Sequence, residues 1–425
     1  MTRRWITVAL LFTGMVVSYI DRGNLSIAAG SIMRDFGLSP SAMGMLMSAF
    51  FWTYALFQIP AGALVDRIGI RWIYAAAFLT WSLASAGIAL SRGATDIFAL
   101  RLLLGLAEAV GPIASLTFIR QNFEGREQGL PTAIYIAAQN LGPAIGSWVG
   151  TQLIEVHGWR FMFAATSLGA LLWLPLWLWL APDSKKPNLN PNLNNAEPAR
   201  QGGASFSLRG ASAPLSSKTA FPKVPLPGLL AMSGCVLFSS YFFYFVLTWI
   251  PTYLTSRGFS TTQMGGIFSI PFVVMAVVNI ASGRLADRLT EQHGVFKVRV
   301  AFASAAYAAA SLVLLLLVYK SNSSVLPLLI IAVTGVGIGN ANYWSLAQHI
   351  PPAHMVGRSI GFLNTLSQVA GIGAPLITGL ILGPEKNFTI GLAIAGICPL
   401  LAAACLFLAG PKALEATKAQ MASAA

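Results

Sequence analysis

The chain has 425 residues, 56% of them hydrophobic and 10% charged, with a mean hydropathy of +0.68. That balance excludes an ordinary soluble domain and makes lipid the natural solvent. The formal net charge of +13 would suit a nucleic-acid binder on its own, so the positions of the basic residues have to decide.

A bilayer core needs about 20 apolar residues per helical crossing. Windows of that kind recur from Trp5 to Gly410, and they predict twelve spans, over 5–30, 42–65, 72–91, 94–119, 129–154, 160–181, 227–251, 262–286, 299–319, 325–348, 359–382 and 388–410. The first carries Asp21 and Arg22 and lacks a small-residue cleavage site, so it reads as a retained helix and not as a signal peptide. One long polar interruption contains Asn-Leu-Asn-Pro-Asn-Leu-Asn-Asn and scattered basic residues, and it reads as a disordered cytoplasmic linker. The predicted organisation is a six-helix bundle over 1–181, the linker over 182–225, a second six-helix bundle over 226–410 and a cytoplasmic tail over 411–425. The remaining connections are short and leave no room for a soluble catalytic or sensory domain.

With a cytoplasmic N-terminus, 19 of the 27 Lys and Arg fall on inside segments. Six fall outside, namely Arg34, Arg92, Arg160, Arg257, Lys320 and Lys386, and Arg22 and Arg101 lie within spans. This asymmetry obeys the positive-inside rule, places both termini in the cytoplasm and removes the argument for nucleic acid. Cys235, Cys398 and Cys405 lie in apolar spans and point to neither disulfides nor a metal. His157, His293, His349 and His354 sit in or near loops without metal-ligand spacing. The run Gly335-Val-Gly-Ile-Gly339 lies inside a span with no strand before it, so it reads as tight helix packing and not as a phosphate loop.

The halves on either side of the linker repeat one another. A shift of 221 pairs Ser39 with Ser260, Gly44 with Gly265, Ser48 with Ser269, Gly62 with Gly283, Asp66 with Asp287 and Arg67 with Arg288. Two six-span repeats are the arrangement that lets similar bundles rock about a site near the bilayer midplane. The loop Gly-Ala-Leu-Val-Asp-Arg-Ile-Gly-Ile-Arg over 62–71, with its counterpart Gly-Arg-Leu-Ala-Asp-Arg over 283–288, resembles the signature loop of the major facilitator superfamily. The resemblance implies that Gly62 and Gly283 allow close helix approach, and that Asp66, Arg67, Asp287 and Arg288 form a charge latch that breaks and re-forms as the bundles rock. Tyr19-Ile-Asp-Arg-Gly-Asn-Leu-Ser26, the run from Arg101 through Gly105 to Glu108, Asn140-Leu-Gly-Pro143 and Gly158-Trp-Arg-Phe161 are similar to the anion:cation symporter branch, which includes carriers of sugar acids. Gln128 stands where that branch usually has Arg.

Two acids, Asp21 and Glu108, lie in the interior of the spans. A carboxylate there is costly and suggests a proton or substrate path. Arg22 adjoins Asp21, and Arg101 precedes Glu108 by seven residues, which leaves about 20° between their directions on one helix. Each pair could be a permanent structural ion pair or a coupling device. With both acids ionised the four charges cancel, whereas protonating both leaves two guanidinium charges, so proton loading would create an anion site. The resemblance implies the same roles: Asp21 and Glu108 carry protons, Arg101 tunes Glu108, and Arg22 binds a substrate carboxylate. It also implies substrate contacts at Tyr54, Gln139, Trp344 and Asn364, while Ala341 and Tyr343 depart from galactonate-type carriers. Gln58 and Asn140 are neighbours of this set that read as helix-packing groups.

The expectation is therefore an all-α major-facilitator fold in the inner membrane, a monomer without cofactor, moving a small organic anion, in the first place a sugar acid of the hexonate, hexuronate or aldarate type, together with protons. The alternatives are the same fold carrying phosphate, a phthalate-like anion or a dicarboxylate, a non-transporting membrane sensor, and an intramembrane enzyme, for which no nucleophile and base are assembled.

Overall fold

The computed structural model describes residues 3–124, 127–181, 227–352, 355–383 and 387–423. The expected linker over 182–225 lies outside them, as do Arg126, His354 and Lys386. The described residues form α1 (Arg3–Phe36), α2 (Pro40–Ile68), α3 (Ile70–Gly87), α4 (Ala94–Glu108), α5 (Val110–Asn122), α6 (Gly129–Ala170), α7 (Trp173–Leu180), α8 (Pro227–Ser256), α9 (Thr261–His293), α10 (Val295–Ala310), α11 (Val325–His349), α12 (Val356–Leu382) and α13 (Phe388–Ser423). Eleven helical segments are long and apolar enough to cross a membrane. The longest, Gly129–Leu180, has 52 residues, about 78 Å of helix and far more than one crossing needs. It is broken at Gly158 (φ 84, ψ 168), a left-handed backbone that glycine adopts without strain. The segment thus supplies two crossings, and the described chain makes twelve.

Local sequence explains where the helices start and stop. Ser39 accepts from the Ala42 N–H at 3.2 Å ahead of Pro40, and Ser260 accepts from the Gln263 N–H at 3.2 Å ahead of Thr261. Both are N-caps, and they lie at repeat-related positions. Gly69 (φ 91) and Gly294 (φ 84) end the matching helices. Beyond Gly410 (φ 69), α13 continues through Ser423, and Thr417 accepts from the Gly228 N–H at 3.1 Å. The Gly335–Gly339 run does serve packing: a Cβ on Gly335 would lie 2.6 Å from the Ala306 carbonyl oxygen, and one on Gly339 would lie 2.4 Å from the Tyr307 ring.

The two halves meet along α2 with α12, α6 with α9 and α1 with α8. Their seam is tight at the end away from the N-terminus. A Cβ on Gly44 would lie 2.5 Å from the Pro375 carbonyl oxygen, and one on Gly379 would lie 2.6 Å from that of Pro40. At the repeat-related place, Ser147 and Ser269 donate to the Gly265 and Ala144 carbonyls at 3.2 and 2.8 Å, and a Cβ on Gly265 would lie 2.1 Å from Thr151 Oγ1. Toward the other end the same helices part. A Cβ on Gly62 or Gly361 would meet nothing within 4 Å, and Val277 and Ile280 are exposed. The halves form a V that opens toward the end bearing Arg3 and the Gly69 and Gly294 corners.

With the V open at this end, the expected latch residues stand apart. Gly62 and Gly283 support no close approach here, since a Cβ on either meets open space. Asp66, Arg67 and Arg288 are exposed, and Asp66 makes no hydrogen bond or ion pair among the described residues. Asp287 pairs with Arg299 of its own half, and Arg299 also donates to Asn342 Oδ1 at 3.0 Å. The physical reason is separation: charges at the mouths of parted helices reach only local partners or water.

Because Gly44 abuts backbone, Gly44→Val should wedge the closed end of the seam. On a background lacking Cys235, Cys398 and Cys405, a cysteine placed at Phe51 should then react faster with an impermeant maleimide added from that end. Unchanged labelling would mean that the seam yields without cost.

Candidate functional site

Glycines bring the site together. A Cβ on Gly105 would lie 2.1 Å from the Phe50 carbonyl oxygen, so α4 crosses α2 in backbone contact, and Thr53 donates to the Leu102 carbonyl at 2.6 Å across that crossing. A Cβ on Gly142 would lie 2.4 Å from Tyr19 Cβ, which sets α6 equally close to α1. Pro112 has no N–H for the Glu108 carbonyl, its partner four residues back, and the helix is interrupted between α4 and α5 at Ala109. Glu108 therefore stands at an interruption of the helical hydrogen bonding, where α1, α2 and α4 converge.

The charged residues are buried: Asp21 is 1% exposed, Glu108 1%, Arg101 3% and Arg22 7%. They form one buried cluster, with partners other than the pairs that spacing along a single helix suggests. Arg22 Nε donates to Glu108 Oε2 at 2.8 Å, and Ser18 Oγ donates to the same oxygen at 2.7 Å. Asp21 points elsewhere, into a pair of serines. Ser85 Oγ donates to Asp21 Oδ1 at 2.7 Å, with Ser167 Oγ 3.2 Å from that oxygen and 2.8 Å from Ser85 Oγ. Adjacent residues on a helix diverge by about 100°, which is why Asp21 and Arg22 face different neighbours. Arg101 lies against the Phe50 ring at 5.2 Å, with Nε and Nη1 buried and unbonded. It makes no hydrogen bond to Glu108, although the two share a helix face.

The Arg22 guanidinium is boxed by aromatic faces, its Cζ 4.7 Å from the Tyr19 ring, 4.8 Å from Phe50 and 4.6 Å from Tyr54. Such faces stabilise a desolvated cation without neutralising it. Its Nη2 is buried with no partner, as is Glu108 Oε1. A planar cation with a spare N–H, held by one carboxylate, is a place where a second carboxylate can compete.

Of the other expected contacts, Tyr54 joins this box. Gln139 is part-exposed and makes no hydrogen bond among the described residues. Trp344 is part-exposed beside Tyr343, with ring centroids 5.2 Å apart, while Tyr343 itself is buried and donates to the Met232 carbonyl at 2.9 Å. Asn364 Nδ2 donates across the seam to Gln58 Oε1 at 3.0 Å. Sequence reasoning left out Ser18, Ser85 and Ser167, because serine in an apolar helix is usually spent on its own backbone. It also left out Tyr244, whose ring packs on Phe51 at 4.6 Å, and Gln368, to whose Oε1 the Tyr244 hydroxyl donates at 3.5 Å.

Twelve apolar crossings in two repeated halves, closed at one end over a buried cation and carboxylates, define a polytopic membrane transporter. The chain belongs to the Major Facilitator Superfamily, whose family model matches residues 11–375. It is 30% identical to "Probable galactarate/D-glucarate transporter GudP" of Bacillus subtilis (strain 168), over 96% of this chain and 92% of that protein. To the D-galactonate transporter of Escherichia coli O6:H1 it is 27% identical, over 89% of each chain. The fold is similar to the inward open conformation of the xylose transporter XylE from E. coli, with a TM-score of 0.72 at 15% identity, covering 97% of this chain and 99% of that one. The chain is thus a transporter of this superfamily and not an enzyme.

Proposed function

We propose that the protein is a proton-coupled symporter of small polyhydroxylated carboxylates, the sugar acids, working by alternating access as a monomer in the inner membrane. The observation that carries this reading is the buried Arg22–Glu108 pair, in which one carboxylate already occupies a guanidinium that has an N–H to spare. A proton on Glu108 removes the competing charge, and the substrate carboxylate takes its place on Arg22. Proton release then restores the pair and expels the anion, so the two fluxes are linked. Asp21, clasped by serines and hydrogen-bonded to no guanidinium, is the second proton carrier, and Arg101 keeps a positive field beside the carboxylates. Tyr54, Gln139, Trp344 and Asn364 provide the substrate contacts. Relatives named for galactarate, D-glucarate and D-galactonate support the substrate class.

The basic-residue asymmetry supports cytoplasmic termini. The V then opens inward, and Gly62, Asp66, Arg67, Gly283, Asp287 and Arg288 meet only when the bundles over 1–181 and 226–410 rock to the outward state. The linker over 182–225 and the tail over 411–425 are cytoplasmic in this arrangement.

In proteoliposomes with an alkaline interior, galactarate, D-glucarate or D-galactonate should accumulate, and a protonophore should collapse the accumulation. Accumulation of phosphate, phthalate or a plain dicarboxylate instead would reassign the substrate, and uptake indifferent to the protonophore would remove the coupling.

A further inference from the structure

The two halves share one side-chain to side-chain hydrogen bond among the described residues, that from Asn364 Nδ2 to Gln58 Oε1 at 3.0 Å. Its position is informative. Gln58 follows Tyr54 by four residues on α2, so it lies about 6 Å further along the helix axis and about 40° around it. It therefore stands one turn from the guanidinium that Tyr54 covers, on the side toward which the V opens. Asn364 sits on α12 one turn before Ser367 and Gln368, where Ser367 shares a hydrogen bond with Ser240 at 2.8 Å and Gln368 accepts from Tyr244. The C-terminal wall facing Arg22 is thus neutral, polar and rich in amides and hydroxyls.

Both members of the bridge are part-exposed. Two primary amides that share one hydrogen bond leave an N–H group on one and a carbonyl oxygen on the other, whichever way each is turned. No group among the described residues takes these up, since Gln58 and Asn364 make no other hydrogen bond there. A free donor beside a free acceptor fits an alcohol, which accepts from the first and donates to the second; it offers a carboxylate half a match and an alkyl chain none.

From this we infer that Gln58, held by the substrate-contacting Asn364, is a specificity-determining residue that reads a hydroxyl on the substrate chain about one helical turn from the carboxylate held by Arg22. The inference rests on the sugar-acid reading and sharpens it. The substrate carries its hydroxyls along an extended chain, so a short hydroxy acid such as lactate cannot engage both ends. The substrate also replaces a direct bond between the halves by one that runs through itself.

Titration calorimetry of the purified full chain with galactarate and with adipate tests this, because adipate has the same carbon chain and both carboxylates without the hydroxyls. The wild type should prefer galactarate, and Gln58→Leu should reduce that preference by about ten-fold or more, since a site built to hydrogen-bond a hydroxyl gains most from it. Gln58→Ala repeats the measurement should leucine impair folding, with elution as a single species as the control. An unchanged ratio, or equal weakening of both ligands, overturns the inference and leaves the bridge a packing contact. A wild type that binds adipate as tightly as galactarate, or binds neither, overturns the sugar-acid reading itself and this inference with it.

Discussion

Glu108→Gln is expected to exchange substrate across the membrane yet fail to accumulate it. Glu108 Oε2 holds Arg22 Nε at 2.8 Å and Ser18 Oγ at 2.7 Å, while Oε1 is unbonded. Glutamine keeps one acceptor oxygen for these donors and removes the charge that competes for the guanidinium. Substrate affinity should therefore rise by about ten-fold or more, in keeping with the 1.5–3 kcal/mol of a hydrogen bond to a charged group. Counterflow, which needs no proton release, should persist. Uptake driven by a pH gradient should fall to that of protein-free vesicles, because the variant has no proton to give up at this position. Both are measured in the same proteoliposomes. Full gradient-driven uptake would exclude Glu108 as an essential proton carrier, whereas loss of both activities would favour a structural ion pair.

The largest loss of binding is expected from Arg22→Ala. Truncation leaves Glu108 buried without a counterion, a situation that typically costs about 3–5 kcal/mol. Reduced thermal stability and absent binding would follow together, and the single variant cannot separate them. The double variant Arg22→Ala/Glu108→Gln can. It removes the stranded charge, so stability should return toward that of Glu108→Gln while binding of sugar acids stays absent. Arg22→Lys should restore stability only in part, since an ammonium on a flexible stem cannot stack flat among the Tyr19, Phe50 and Tyr54 rings. Binding by the double variant would move the anion site elsewhere.

The amino-acid sequence by itself determined the class of this protein. Apolar windows fixed by bilayer thickness set the crossings, and a 221-residue shift linked Ser39 with Ser260 and Gly44 with Gly265, which the structure shows as matched caps and matched seam contacts. Sequence also picked out Asp21, Arg22, Arg101 and Glu108, because a charge in lipid is rare enough to be noticed without knowing its neighbours. It could not read who bonds to whom. Spacing along one helix speaks only of residues on that helix, so it paired Glu108 with Arg101 and set Arg22 beside Asp21. The partner that Arg22 holds lies on α4, 86 positions away, brought there by the glycine crossings. Serines at 18, 85 and 167 carry no signal in a sequence, since the same hydroxyl more often turns back to its own helix. The latch loop shows the same limit from the other side: the motif at Gly62–Arg71 is legible, but whether its charges meet depends on which end of the V is closed, and only the tertiary structure decides that.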